Sequence, residues 1–290
     1  MLWQKGRRSD NVVDGGTGSG GGGGMGGRGL GLGGMVILAI LGLVFFKDPT
    51  ALLGQGDPGA AAPPGQTQQA AQPLNENDPQ VDFVRAILGE TEDTWTAIFQ
   101  ARGQTYERPQ LVLFRNSVRT ACGSASSAVG PFYCPGDHRV YLDLTFFQQM
   151  QSQFHESGDF ARAYVIAHEV GHHVQNLIGV FDKVDQARRQ GAALQGATGL
   201  SVRQELQADC FAGVWANKSQ QRQQWLQEGD VESALNAATA IGDDRLQEQG
   251  QGRVVPDSFT HGTSAQRVKW FKAGLQSGDM GSCNTFSGAI

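Results

Sequence analysis

An excess of positive charge is what this 290-residue sequence most clearly lacks. Its 23 Lys and Arg are outnumbered by 28 Asp and Glu, and the formal net charge is -5. No stretch interleaves basic and aromatic side chains in the way that a nucleic-acid-binding surface requires. We therefore expect no nucleic-acid partner.

Cysteines are few, and none of them forms a C-x-x-C pair, so a zinc knuckle is poorly supported. An even number of cysteines suggests two disulfides in an oxidising compartment. Of the three possible pairings we favour Cys122 with Cys134, because both belong to one short Gly/Ser-rich β segment. That leaves Cys210 with Cys283. The alternative is four free, buried thiols.

Long apolar runs are also missing, with one exception. Residues 30–46 carry no charge over 17 positions, which is at the short end for a transmembrane helix. Four basic residues precede this segment, whereas after Lys47 no Lys or Arg follows until Arg85. The positive-inside rule then places the N-terminus in the cytoplasm and the rest of the chain outside the inner membrane, in the periplasm. We favour this uncleaved, single-pass anchor over a cleaved signal peptide.

Composition divides the chain into four parts. Residues 1–29 are polar and glycine-rich, without the means to build a core, and residues 47–78 read as a flexible linker between the anchor and one domain at 79–290. Strand patterns between 109 and 144 come before a series of helical patterns, one of them predicted as a single helix over 230–246. The order favours an α+β domain with a small antiparallel sheet.

Several helix starts can be read from capping residues. Asp78 precedes a helix with proline in its first turn, and Asp159 and Ser201 are candidate caps for two later helices. Thr263, three residues before Gln266, predicts a capping box for the last helix.

The segment "HEVGH" carries the chemistry. His168 and His172 are four residues apart, about 40° around a helix, so both imidazoles can reach one metal ion. Glu169 follows the first histidine, and it can hold a water molecule beside the metal without being a ligand. Apolar residues occupy the opposite helical face, which argues against core histidines. His173 is about 100° from His172, so we predict a polar residue at the edge of the site rather than a ligand.

A catalytic zinc needs a third protein ligand besides a water molecule. Metzincins would need glycine and histidine where this chain has Gln175 and Ile178. We instead assign Glu205 as the third ligand and Asp209, one turn later, as the acceptor of a hydrogen bond from a ligating imidazole. An ordinary exposed Glu/Asp pair is the alternative. Cys210 points about 140° away from Glu205 and is not a ligand. The small residues on the same face would let this helix approach its neighbour closely: Ala208, Ala212, Gly213 and Ala216.

The motifs "AHEVGHHVQN", "QELQADCFAG" and "GPFYCPGDHRVYLDLTFF", together with "RRSDNVVD" near the N-terminus, resemble the bacterial family of predicted neutral zinc metallopeptidases. These are single-pass membrane proteins of the zincin type. The resemblance covers nearly the whole chain. The order of the motifs also resembles that of gluzincins, in which a downstream E-x-x-x-D follows the HExxH helix.

The resemblance implies further roles. By analogy with gluzincins, a strand near residues 130–134, with 140–143 beside it, would form the edge that binds extended peptide. The segment "THGTSAQRV" loosely resembles a His-Pro segment of prenyl-protease and heat-shock-protease gluzincins, although glycine replaces the proline. His261 would then help to stabilise the developing oxyanion, and Arg267 would hold the loop. A histidine at a helix entry is an equally good interpretation.

These observations predict a membrane-anchored Zn²⁺-dependent endopeptidase. The zinc would be held by His168, His172 and Glu205, Glu169 would act as general base, and a protein or peptide would be the substrate. Three alternatives stay open: an amidase acting on cell-wall peptides, a module whose zinc is structural, and a binding or chaperone-like module without turnover.

Overall fold

The computed structural model describes residues 1–17, 73–154 and 158–290. The predicted membrane anchor at 30–46 and most of the predicted linker lie outside these ranges. Within the described part of the chain, no helix has the length and apolarity needed to cross a membrane.

A four-stranded sheet with the order β1-β2-β6-β5 forms one layer of the fold. Its strands β1, β2 and β6 are parallel, and only β5 runs antiparallel to β6. The α+β class is confirmed, but the expected antiparallel sheet is mixed, because β2 pairs in parallel with both β1 and β6. Two further strands, β3 and β4, form a separate antiparallel hairpin. The strands are β1 (Val12–Thr17), β2 (Gln110–Arg115), β3 (Ser117–Thr120), β4 (Gly123–Ser126), β5 (Phe132–Cys134) and β6 (Arg139–Asp143).

Residues 1–17 belong to this folded unit, which corrects the prediction that residues 1–29 cannot take part in a core. Val12 is 5% exposed and lies in the main hydrophobic core. The buried carboxylate of Glu92 accepts hydrogen bonds from Arg7, Ser9 and Asn11. A buried carboxylate needs such donors, so the polar composition of the segment supplies the partners of a buried charge rather than preventing burial.

The described residues contain eight α-helices, which pack mainly on one another. They are α1 (Pro79–Gln100), α2 (Thr145–Phe154), α3 (Asp159–Leu177), α4 (Val180–Arg189), α5 (Leu200–Gln223), α6 (Asp230–Ala240), α7 (Asp243–Gln251) and α8 (Ser264–Ser277).

The predicted N-caps are correct for the first and last helices of the domain, α1 and α8. The N-caps predicted for α3 and α5 are wrong by one and two residues. Asp78 caps α1 by accepting a hydrogen bond from the backbone of Gln80, and Thr263 forms the expected capping box at α8. The N-cap of α3 is Gly158, so Asp159 lies in the first turn, where its charge favours the helix dipole. The N-cap of α5 is Gly199 rather than Ser201.

The predicted helix 230–246 is two helices. The chain leaves the helical conformation at Ile241, and Gly242 becomes the N-cap of α7. The break lets the first residue of α7, Asp243, face the segment before α8, where it receives several hydrogen bonds described below.

Helix α3 packs against α5 through a close backbone approach. A Cβ atom added at Gly171 would lie 3.0 Å from the carbonyl oxygen of Ala208, so glycine sets this spacing. Gly213 faces a different neighbour: it packs on α8, where a Cβ atom would meet the carbonyl oxygen of Phe271 at 2.1 Å. The small face of α5 therefore serves two helices, whereas the sequence had suggested one.

Both predicted disulfides are confirmed. Cys122 is bonded to Cys134 and Cys210 to Cys283, with Cα atoms 5.8 and 5.5 Å apart. The first joins the β3–β4 hairpin to β5, and the second fixes the C-terminal segment to α5.

Candidate metal centre

Side chains from α3 and α5 converge at one point. A potential ligand atom from each of His168, His172 and Glu205 lies within 4.8 Å of the other two. The Glu205 carboxylate is 3.1 Å from Nε2 of His168 and 3.4 Å from Nε2 of His172. The Gly171–Ala208 contact brings the two helices close enough for this meeting.

This geometry fits zinc. With Zn–N and Zn–O bonds of about 2.0–2.1 Å, the ligand atoms of a tetrahedral site lie about 3.3 Å apart. The two distances from the Glu205 carboxylate to the imidazole nitrogens bracket that value. Three protein ligands are the number found in catalytic zinc sites, where the fourth position takes water or substrate.

The outer nitrogen of each histidine is fixed by a hydrogen bond. Nδ1 of His168 is 2.8 Å from Oδ1 of Asp209, and Nδ1 of His172 is 2.9 Å from Oε1 of Gln175. Since both oxygens accept, the Nδ1 atoms carry hydrogens, so Nε2 is the nitrogen of each ring that is left to bind a metal ion. In the sequence alone, Gln175 only excludes the metzincin pattern. Its position one turn after His172 is the signal that could have revealed this role.

Asp209 is the centre of a buried polar network. Arg267 donates to both of its oxygens, from Nε and Nη2 at 2.9 Å, and Tyr164 donates to Oδ1. Burial opposes the charge of Asp209, but Arg267 and His168 outweigh it and lower its pKa to about 2. Arg267 was expected to hold the loop at His261. It instead fixes the carboxylate that orients His168.

The site favours positive charge. Burial disfavours a charged His168, yet the charges of Asp209 and Glu205 prevail and raise its pKa to about 10. Burial also disfavours a charged Glu205, but the neighbouring His172 and His261 hold its pKa well below the usual value. Anionic groups that stay ionised around two imidazoles are the donor set that suits a divalent cation.

Glu169 lies beside the three candidate ligands without joining them. Its side chain is buried, which raises its pKa, and the charge of Glu205 adds to this effect while His168 and His172 oppose it. A carboxylate with a raised pKa is better suited to accept and return a proton near neutral pH than an ordinary one.

His261 faces the same cavity and is held by a residue that the sequence analysis did not identify. Its Nδ1 lies 3.2 Å from Oδ1 of Asp243 and 2.9 Å from Oγ1 of Thr260. Oδ2 of Asp243 accepts from three consecutive backbone N–H groups, those of Thr260, His261 and Gly262. Burial lowers the pKa of His261, but the charge of Glu205 and the bond to Asp243 leave it raised. Asp243 is far from His261 in sequence and begins a helix that was not predicted separately.

The motif face of α3 is buried, although the helical wheel places it opposite the apolar, core-packing face of the helix. His168, Glu169 and His172 are 7%, 8% and 9% exposed. They line one wall of a cavity of about 570 Å³, whose other walls include residues 130–133, before and within β5, and Phe181 of α4. The wheel could not show the segments that cover this face, because they come from distant parts of the chain.

His173 is fully buried beside β5 rather than in the cavity. Its Nε2 donates to the carbonyl oxygen of Glu107 at 2.7 Å, and its Nδ1 accepts from the hydroxyl of Tyr133 at 3.1 Å. Burial lowers the pKa of His173 to about 4, so the ring is neutral. It lies outside the group of candidate ligands.

Comparison with known proteins agrees with this centre. A family profile described as "Putative neutral zinc metallopeptidase" matches residues 1–286. The chain is 50% identical to the uncharacterized protein YpfJ of Escherichia coli K12 over 297 residues, covering all of both chains. It is 48% identical to the uncharacterized protein Rv2575 of Mycobacterium tuberculosis over 217 residues, covering 71% of this chain and 72% of the relative.

No solved structure matches the chain. The family assignment therefore depends on the sequence matches. Because the profile covers nearly the whole chain, the protein belongs to the family described as "Putative neutral zinc metallopeptidase".

Proposed function

We propose that the protein is a zinc-dependent endopeptidase whose centre consists of His168, His172 and Glu205. The observation that carries the proposal is the meeting of these three ligands with a buried, non-ligating Glu169 at the wall of a cavity. A purely structural site has no use for that carboxylate, and it would normally be closed by a fourth protein ligand.

A zinc ion bound here would supply a Lewis acid that polarises the scissile carbonyl group and acidifies a water molecule. Glu169 accepts the proton of the attacking water and later transfers it to the leaving amine. Its burial supports this role, because a raised pKa lets the carboxyl group exist in both protonation states during one cycle.

His261 stabilises the negative charge that develops on the carbonyl oxygen. Asp243 holds Nδ1, which leaves Nε2 to donate toward the substrate, and the raised pKa favours a protonated ring. A donor fixed in advance costs little reorganisation when the charge develops.

The substrate binds as an extended strand beside β5. This strand is the edge of the sheet, since within the described residues it pairs only with β6. Residues 130–133 also line the cavity. Backbone hydrogen bonds to such an edge recognise peptide without demanding one sequence, while side-chain pockets select among peptides.

We further propose that the catalytic unit works outside the cytoplasm. The two disulfides support this location, because such bonds persist in oxidising compartments. Attachment to the inner membrane through residues 30–46 remains a prediction from the apolar run.

The proposal is tested by incubating the purified full chain with an unfolded protein such as reduced casein. Cleavage should require zinc, should stop with a chelator, and should fall by several orders of magnitude in Glu169→Gln. A zinc-loaded wild type that cleaves no unfolded protein or peptide would instead support a binding module. Cleavage of cell-wall peptides alone would support the amidase alternative.

A further inference from the structure

Tyr133 joins the substrate-binding edge to the metal-binding helix. It is the central residue of β5, where it pairs with Val140 of β6, and its ring crosses to α3. Its hydroxyl donates to Nδ1 of His173 and accepts from Nδ2 of Asn176 at 3.0 Å. The hydroxyl is therefore used as donor and as acceptor, and both partners belong to the helix that carries His168 and His172.

His173 has no freedom to release this contact. Its Nε2 donates to the carbonyl oxygen of Glu107, so Nδ1 must accept. The rings of Tyr133 and Tyr106 pack against it in edge-to-face contacts at 5.5 and 5.7 Å. The histidine that directly follows a candidate ligand thus fixes the strand that faces the cavity.

Phe181 completes the contact from the cavity side. Its ring centroid is 6.2 Å from that of Tyr133 and 6.5 Å from that of His172. Phe181 therefore links the ring of Tyr133 in β5 to the ring of the candidate ligand His172.

We propose that Tyr133, held by His173 and Asn176, is a positioning residue that sets the distance between β5 and the metal centre. The inference rests on the proposed function. A peptide paired with β5 places its scissile bond at the metal centre only if this distance is fixed. Substrates too short to pair with β5 do not depend on it.

The test measures binding and cleavage separately. The proteins are zinc-loaded full chains carrying Glu169→Gln, alone or with Tyr133→Phe, and the probes are a fluorescein-labelled unstructured decapeptide and a labelled dipeptide amide. We expect Tyr133→Phe to weaken decapeptide binding about five- to tenfold, the effect of about one hydrogen bond. Dipeptide binding and zinc content should stay nearly constant, and the melting temperature should fall by only a few degrees, because β5 keeps its pairing with β6 and its disulfide.

A matched control is available in Tyr106→Phe. This hydroxyl is also buried next to His173, but within the described chain it has no hydrogen-bond partner. Its removal should leave peptide binding unchanged. The amide nitrogen of His173→Gln can take the place of Nε2 and keep a donor for Glu107, whereas no acceptor remains at the position of Nδ1. This variant should therefore reproduce Tyr133→Phe, and the double variant should be no worse than either single variant.

Failure of this inference differs from failure of the proposed function. Equal binding of the decapeptide with and without Tyr133→Phe, or no binding by either form, would overturn the positioning role. Parallel losses of zinc and melting temperature would also overturn it, because they indicate a general structural role. When Glu169 is intact, Tyr133→Phe should lower kcat/KM for the decapeptide by the same factor. A wild type that binds the decapeptide but does not cleave it would contradict the proposed function alone.

A second inference concerns the membrane and rests on β1. Val12, Val13 and Asp14 pair with Leu111, Val112 and Leu113 of β2 within the main sheet. The backbone before β1 lies against α1 so closely that a Cβ atom at Gly89 would be 2.5 Å from the carbonyl oxygen of Arg7.

A single membrane crossing by residues 30–46 would place β1 and β2 on opposite sides of the bilayer. It would also leave the buried Glu92 without Arg7, Ser9 and Asn11. Separating a buried carboxylate from its donors costs several kcal/mol. We infer that residues 1–17 and 73–290 lie in the same compartment, so that the chain does not cross the membrane once between them. This replaces the expectation that the N-terminus and the catalytic domain lie on opposite sides.

Labelling of introduced cysteines tests whether the two parts of the chain lie in the same compartment. Asp10→Cys and Val254→Cys introduce single exposed thiols in the two parts; the side chain of Asp10 is 96% exposed and Val254 is 43% exposed. Spheroplasts that make either full-length variant are treated with a membrane-impermeant maleimide before and after permeabilisation. We expect both thiols to react under the same condition. Reaction of one in intact spheroplasts and of the other only after permeabilisation would overturn the inference.

Discussion

Replacing Asp209 with asparagine removes the counter-charge of a buried arginine. Arg267 is 3% exposed and makes two hydrogen bonds to this carboxylate. Breaking a buried pair in this way costs about 3–5 kcal/mol, since the remaining charge is uncompensated. For a domain of this size, each kcal/mol corresponds to about 2–4 °C, so the melting temperature should fall by roughly 6–20 °C.

The lowered pKa of Asp209 gives an independent magnitude. A shift from 3.8 to about 2 corresponds to about 2 kcal/mol of stability from this carboxylate. Because the folded-state pKa is the lower one, this stability is present above the unfolded pKa and is lost as the pH falls from about 4 through about 2. The Asp209→Asn variant should lack this part of the acid dependence.

The assay is thermal unfolding of the metal-free protein in the presence of a chelator, so that zinc binding does not contribute. Asp185→Asn is a matched control: this carboxylate also pairs with arginine side chains, those of Arg188 and Arg189, but at the surface, where solvent screens the charges and such pairs contribute little to stability. The double variant Asp209→Asn/Arg267→Met should recover part of the loss. A change below about 1 kcal/mol in Asp209→Asn would refute the reasoning, because it would mean that the pair is not buried as described.

Three further predictions follow from the same contacts. Glu205→Ala should lose zinc, measured by metal analysis after dialysis, and retention of one tightly bound zinc would show that the third ligand is elsewhere. Asp243→Asn should keep zinc but lower kcat by about 10²-fold, since His261 loses its orienting carboxylate; an unchanged kcat would remove His261 from the mechanism. Deletion of residues 1–17 should destabilise the catalytic unit in chemical unfolding, because β2 loses a paired strand and Glu92 loses its donors. Equal stability of the shortened protein would show that the segment is dispensable.

The helix of the candidate metal centre could be predicted from the sequence because its geometry is local. The spacing of His168 and His172 fixes their relation to each other whatever surrounds them. Glu205 could be proposed because it shares a helix with Asp209 at the spacing of one turn, and the family resemblance supported the choice. The disulfides followed from the small number of possible pairings.

What the sequence could not show depends on contacts between distant segments. Asp243 orients His261 only because the chain breaks at Gly242 and folds back on the segment before α8. The strand β1 has its partner almost one hundred residues away, and its polar surroundings resemble those of an unstructured tail. The burial of His173 likewise results from residues of β5 and of the segment before β2, neither of which the helical wheel includes.

The central claim is that zinc and Glu169 together hydrolyse peptide bonds at this centre. The most direct measurement compares cleavage of an unfolded protein by the zinc-loaded wild type, by the same protein after metal removal, and by zinc-loaded Glu169→Gln with its zinc content verified. The account predicts cleavage by the first alone, with activity restored to the second when zinc is returned. Undiminished cleavage by zinc-loaded Glu169→Gln, or by the metal-free protein, would contradict it.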